Sequence, residues 1–188
     1  MKLHNITFKD WFINQKRVPT EDSEEYKAFY NFQRELCMNG AMMDGQFINP
    51  FLMWHLNFWN TEVDIIDDYG RINQKYANPL LRDNEWLVTN EIDRAHKEKK
   101  GLVILGIRRF AKSVLEASYI GQGATFDENS QNIIAGLNAP DIKLITDKID
   151  KGLNFLPKAW RWQRVEDNWK QQVTLGIKTK AGERIPFS

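Results

Sequence analysis

The sequence is poor in the residues that most often carry chemistry. It has one cysteine, Cys37, and three histidines among 188 residues. A lone thiol excludes an internal disulfide and fits a reducing compartment. His4, His55 and His96 are scattered, with no Cys or carboxylate at metal-ligand spacing, so no zinc site is credible. His55 stands in an apolar stretch, where a core histidine is the ordinary reading. No nucleophile elbow and no Ser-His-Asp set is visible. No apolar run is long enough to cross a bilayer, and residues 1–11 hold no apolar run of signal-peptide length. The expectation is a soluble, cytosolic chain. A net charge of +1 gives no global argument for nucleic acid. There is no internal repeat and no low-complexity tract.

What is there is globular in composition and rich in large anchors, with seven Trp. Charge is uneven. From Lys151 onward eight Lys or Arg stand against three Asp or Glu, while the first sixty-odd residues lean acidic.

Periodicity predicts a mostly helical lead-in over residues 1–76. Thr20, with Glu21, Glu24 and Glu25 after it, opens a helix to about residue 38, carrying Tyr26, Phe29, Tyr30, Phe32 and Leu36 at helical spacing. Asn39-Gly40 and Asp44-Gly45 are turn signals. Asn49-Pro50 opens a second helix, followed by Phe51, Leu52, Trp54, Leu56 and Trp59. A short apolar run from Val63 to Ile66 ends at Asp67-Asp68-Tyr69-Gly70, and 70–82 read as loop. Asp83 or Asn84 then caps a helix to about Lys99, with Glu85 at its start and Lys97, Lys99 and Lys100 at its end, as the helix dipole prefers.

Beyond residue 100 the period changes. Gly-Leu-Val-Ile-Leu-Gly at 101–106 reads as a strand buried on both faces. A loop follows, then a helix from Lys112 with Val114, Leu115, Tyr119 and Ile120 on its apolar side. Residues 132–137 read as a second buried strand. Asn138-Ala139-Pro140 opens another helix with Ile142, Ile145, Ile149, Leu153 and Phe155, ended by Pro157. Residues 173–178 and 183–187, flanking Lys180-Ala181-Gly182, read as a β-hairpin. Strand, loop, helix, strand, helix implies a parallel α/β sheet.

The chemistry concentrates at 106–113. A Walker A loop, G-x-x-x-x-G-K-[ST], points backbone N–H groups at phosphate oxygens, uses its Lys on the β and γ phosphates and its hydroxyl on Mg²⁺. Here Gly106, Lys112 and Ser113 are in place, Ile107 and Phe110 lie within the loop, and Ala111 replaces the second Gly. Arg108 and Arg109 suit a γ phosphate on which charge develops during transfer. The ordinary alternative is a strand–helix turn ending in Lys-Ser, with the arginines solvated or paired.

At these residues the sequence resembles the large terminase subunits of tailed bacteriophages, whose phosphate loops are often degenerate and carry an internal Arg. The resemblance matches Arg108 to an arginine finger acting in cis, with Arg109 as its backup. Leu81-Arg82-Asp83-Asn84-Glu85 resembles the family's adenine motif, with Glu85 where Gln is usual; an ionised Glu accepts hydrogen bonds but cannot donate them. Residues 132–157 and 173–187 resemble the family's second strand, long helix and hairpin, and 45–59 resembles the lead-in of some terminases. The implied fold is a P-loop NTPase (RecA-like) parallel sheet with flanking helices over 77–188, incomplete, behind an N-terminal helical segment. The implied activity is ATP hydrolysis with Mg²⁺ that drives double-stranded DNA into a capsid. The implied partners are portal protein, copies of the same chain in a ring and a small terminase subunit, in the host cytoplasm at the procapsid portal. No Walker B segment follows residue 114 and no carboxylate-rich nuclease domain is present, so the expectation is a fragment that binds nucleotide weakly and does not turn it over alone.

Two further features have ordinary alternatives. Lys158-Ala159-Trp160-Arg161-Trp162-Gln163-Arg164 interleaves basic and aromatic residues and suits DNA or a neighbouring subunit, but a connection with Trp packed down and Arg in solvent is the favoured reading. Asp64, Asp67 and Asp68 suit a cation, with a solvated acidic loop favoured. Beside the motor stand two rival functions: a helicase-like translocase fragment, and a degenerate P-loop fold serving as a scaffold.

Overall fold

A computed structural model describes residues 4–105, 112–127, 130, 132, 134, 139–166, 174–178 and 184–186. The described residues combine helices with small sheets, a mixed α/β architecture. They fall into two compact units, 1–57 with 80–110 and 58–79 with 111–188. The units interleave along the chain, whereas the sequence divides most simply once, between 76 and 77.

The first unit is built on a three-stranded sheet. Strand β1 (His4–Ile6) runs parallel to β2 (Ala41–Met43), which forms a hairpin with β3 (Gln46–Ile48). Asp44 and Gly45 turn that hairpin with φ of 48° and 81°. Two successive left-handed residues give the turn whose twist matches paired strands, and Asp-Gly is the pair that adopts it. Between β1 and β2 run helices α1 (Phe8–Gln15) and α2 (Glu24–Asn39). Ser23, rather than Thr20, caps α2, its Oγ accepting from the Tyr26 amide at 3.0 Å. Helix α2 buries Tyr26, Tyr30, Gln33, Leu36 and Cys37, a stripe at steps of three and four.

Helix α3 (Pro50–Asn57) begins as expected. The Asn49 carboxamide oxygen accepts from the Leu52 amide at 2.7 Å, and its nitrogen donates to Asn90 Oδ1 at 3.0 Å, tying α3 to α4 (Asp83–Lys97). Phe51, Leu52, Met53, Trp54 and His55 are all buried, so α3 is apolar around most of its circumference. Trp59 lies beyond its end and belongs to the other unit. Helix α4 closes with Lys99 at φ 53°; the amides of Lys99 and Lys100 reach back to the carbonyls of His96 and Ala95. That is the usual αL ending, made here with Lys instead of Gly.

The run expected to form a central strand does not do so. Residues 101–105 have no regular structure and are exposed, with Val103 at 83% and Leu105 at 91% of full accessibility. Apolar composition alone does not make a strand, because the backbone needs pairing partners on its edges. The expected neighbour at 132–137 lies mostly outside the described residues. Among the described residues the parallel pairing is that of β1 with β2, and no parallel sheet flanked by helices is present.

The second unit holds a hairpin, two helices and an antiparallel sheet. Strands β4 (Thr61–Ile66) and β5 (Ile72–Ala77) pair through Thr61↔Ala77 to Ile66↔Ile72. Strand β5 corrects the reading of 70–82 as loop. Its sequence, Ile-Asn-Gln-Lys-Tyr-Ala, has no apolar alternation because most of it faces solvent; the turn before it imposes the pairing. The Asp67 carboxylate accepts from the amides of Tyr69 and Arg71, from Arg71 Nε and from Asn73 Nδ2.

Helices α5 (Lys112–Phe126) and α6 (Ala139–Asn154) pack together around Trp59. A Cβ on either Gly121 of α5 or Gly152 of α6 would fall under 3.0 Å from the Trp59 ring. The two glycines therefore admit one indole between two helices. Strands β6 (Gln163–Glu166), β7 (Thr174–Lys178) and β8 (Arg184–Pro186) form an antiparallel sheet, with β7 and β8 as the hairpin expected from residues 173–187.

Candidate functional site

Residues 106–111 of the expected phosphate loop, Gly106, Ile107, Arg108, Arg109, Phe110 and Ala111, lie outside the described residues. Lys112 and Ser113 are described, and they form the first turn of α5. Lys112 is exposed and Ser113 half-buried. The start of a fifteen-residue helix is where unpaired amide N–H groups and the dipole favour a phosphate. Ser113 is the one expected Mg²⁺ ligand within the described residues. Among those residues no group of three His, Cys, Asp or Glu side chains gathers as a metal site, the acidic turn at Asp64, Asp67 and Asp68 included.

Arg82, Asp83 and Glu85 come together at the start of α4. Arg82, rather than Asp83 or Asn84, is the residue before the first helical turn, with extended backbone. Glu85 is 3% exposed, and its carboxylate accepts from the Arg82 amide at 3.2 Å. Burial raises its pKa, against the lowering effects of that amide and the Arg82 charge. Glu85 thus closes the helix end by accepting that amide. Arg82 and Asp83 are exposed. These three residues belong to the first unit, and Lys112 and Ser113 belong to the second.

The basic–aromatic stretch is packed as the ordinary alternative requires. Trp160 is buried, with edge contacts to Phe58 and Phe126 at centroid distances of 4.5 and 5.0 Å. Trp162 Nε1 donates to the Thr125 carbonyl at 2.8 Å, and the exposed Arg161 donates to the Leu156 carbonyl. Both indoles hold the second unit together.

Two clusters have no counterpart in the sequence pattern. In the second unit the Tyr76 hydroxyl donates to Glu62 at 2.6 Å, Tyr76 stacks on Phe155, and Lys151 lies 3.5 Å from Glu62. The Tyr76 hydroxyl holds the Glu62 carboxyl below its usual range, and the Lys151 charge adds to this. The adjoining cleft, of about 100 Å³, has room for a few waters.

The larger cavity is in the first unit, between the sheet, α1 and α2, and measures about 520 Å³. Phe29, Phe32 and Met42 supply apolar wall, and Gln33 and Trp11 border it with their polar atoms buried away from it. Neither the nitrogen nor the oxygen of the Gln33 carboxamide has a hydrogen-bond partner, and the buried Trp11 indole N–H has none. The residues come from β1, α1, α2 and the β2–β3 hairpin, so no local motif marks them; the one signal in the sequence is a glutamine on the apolar stripe of α2.

Among the described residues no helix is long and apolar enough to cross a membrane. Compared with known proteins, the chain matches no family model, no curated protein and no solved structure.

Proposed function

We propose that this chain is the ATP-binding portion of a DNA-packaging motor of the terminase type, with a RecA-like P-loop core. Lys112 and Ser113 would meet the phosphates and Mg²⁺, with Arg108 and Arg109 at the γ phosphate and Arg82 and Asp83 towards adenine. In the intact motor, hydrolysis would move double-stranded DNA through the portal. The observation that carries this reading is the start of α5. Lys112 opens the helix and Ser113 follows in its first turn, which is the placement a Walker A loop needs.

The test is calorimetric titration of the whole chain, and of its Lys112→Ala variant, with Mg-ATP. Saturable binding that the variant loses supports the proposal. Absence of binding by the parent chain counts against it.

One observation favours a second reading, a P-loop-like scaffold that binds another macromolecule. Leu102, Val103, Ile104 and Leu105 are exposed and carry no strand pairing. An unpaired apolar run of this kind can add itself to the edge of a partner's sheet. Unchanged partner binding by Lys112→Ala, together with no ATP binding, would favour the scaffold.

A further inference from the structure

Strands β4 and β5 form a two-stranded sheet, and among the described residues neither outer edge is paired. Two strands alone are marginally stable, and further strands or a packed helix are what hold such a unit. Helix α6 lies against β4, whereas β5 is exposed from Ile72 to Lys75. Natural sheet edges are blunted by proline, by a bulge or by charges. Residues 72–77, Ile-Asn-Gln-Lys-Tyr-Ala, have no proline and a single charge, and their register with β4 runs without a break. The turn holds this edge in shape. The Asp67 carboxylate accepts from the amides of Tyr69 and Arg71, and the Asp67 amide donates to the Arg71 carbonyl at 3.0 Å.

That last bond sets which way each amide of β5 points. In an antiparallel ladder, bonded and non-bonded pairs alternate. With Asp67 bonded to Arg71, the pair Ile66↔Ile72 is non-bonded, Ile65↔Asn73 bonded, Asp64↔Gln74 non-bonded, Val63↔Lys75 bonded and Glu62↔Tyr76 non-bonded. The backbone N–H and C=O groups of Ile72, Gln74 and Tyr76 therefore point away from β4. A second copy of β5, turned about a twofold axis through Gln74, presents the same three residues in the opposite direction. Gln74 then meets Gln74 of the second copy, and Ile72 meets Tyr76 on either side of the axis, each pair exchanging both N–H···O bonds. A β-branched residue opposite an aromatic one is a favourable cross-strand pair, and Lys75 falls opposite Asn73, so no like charges meet. The β4 edge fails the same test. Its outward residues are Glu62, Asp64 and Ile66, and the equivalent axis sets Asp64 against Asp64.

We propose that the β5 edge is a twofold self-association surface, on which the hairpins of two copies of this chain join into one antiparallel sheet of order β4-β5-β5-β4. The surface lies within the second unit and does not depend on the phosphate loop. The edge is short, so the dimer is weak and reversible. Sedimentation equilibrium of the whole chain, from about 10 μM to 1 mM, should show a mass that rises from 22.1 kDa towards twice that value and stops there. Amide hydrogen exchange followed by NMR over the same range should show Ile72, Gln74 and Tyr76 gaining protection with concentration, while Asn73 and Lys75 are protected throughout. Gln74→Pro removes an outward N–H, which a sheet edge tolerates, so it should abolish the dimer and keep the protection at Asn73. Ile72→Glu, at a position 68% exposed, should weaken the dimer about tenfold through the two lost Ile–Tyr pairs, and it decides the matter if Gln74→Pro also loses the protection at Asn73. Four results would overturn the proposal: a chain monomeric at every concentration, growth beyond the dimer, as a β4 edge meeting a β5 edge would give, protection of the three outward amides that does not depend on concentration, as pairing within one chain would give, or a dimer that Ile72→Glu leaves unchanged.

Discussion

Acidification from pH 7 to pH 5 should weaken the first unit through His55. The residue is fully buried on α3, against Phe51 at a ring distance of 5.6 Å, and burial lowers its pKa from 6.5 to about 4. Its folded-state pKa lies below its unfolded value. Above pH 6.5 the ring is neutral in both states and titration contributes nothing. Below 6.5 the unfolded chain takes up a proton that the folded chain refuses, so stability falls until the folded pKa is passed near 4. The full gap corresponds to about 3 kcal/mol, and at pH 5 about 2 kcal/mol of it is already lost. The assay is urea unfolding of the parent chain and of His55→Gln at pH 7, 6 and 5, with the imidazole followed by NMR. The parent should lose about 2 kcal/mol that the variant keeps. Glu85 pulls the other way, because its raised pKa makes the fold more tolerant of acid, but it is common to both proteins, so the difference between the two profiles isolates His55. Equal slopes in the two proteins, or a His55 ring that titrates near 6.5 in the folded state, would refute the reasoning.

Two other outcomes follow from the packing and the caps. Gly121→Ala or Gly152→Ala should destabilise the second unit by about 1–3 kcal/mol despite the better helix propensity of Ala, because either methyl meets the Trp59 ring. A double-mutant cycle with Trp59→Leu should recover part of that loss, and strict additivity would show that the ring is not the obstacle. Glu85→Gln should raise Tm at pH 7, since it removes a buried charge and keeps an acceptor for the Arg82 amide. The carboxylate's contribution is fully present below pH 4.5 and is lost as pH rises through the raised folded value, so the gain should fade at low pH; a lower Tm for the variant at pH 7 would refute this.

Local signals in the sequence were legible where they act locally. Asn49-Pro50 and Asp44-Gly45 each fix backbone within a few residues of themselves, and the helix and turn they announce are present, whereas the start of α2 was read at Thr20 and the cap is Ser23. The hairpin of β7 and β8 was legible for the same reason. Strand β5 was not, because an exposed strand has no buried face to set an alternation. Residues 101–105 failed in the opposite direction. They have the composition of a buried strand and no paired edge, and pairing is decided by residues distant in sequence.

The same distinction separates the two candidate sites. A phosphate loop is a contiguous device, so its residues can be named from the sequence at 106–113, and the start of α5 at Lys112 is consistent with that placement. The first-unit cavity is assembled from four separate elements, and no spacing rule could have found it. What marks it is a conflict within one helix. The stripe of α2 asks for an apolar residue at position 33, and the chain supplies an amide whose hydrogen bonds the fold leaves unmade. Sequences that fold well seldom carry such conflicts except where function requires them. Gln33→Leu should therefore hold or raise Tm in thermal unfolding, because it removes two unmade hydrogen bonds from the core, and a clear loss of Tm would show that the amide is satisfied in solution.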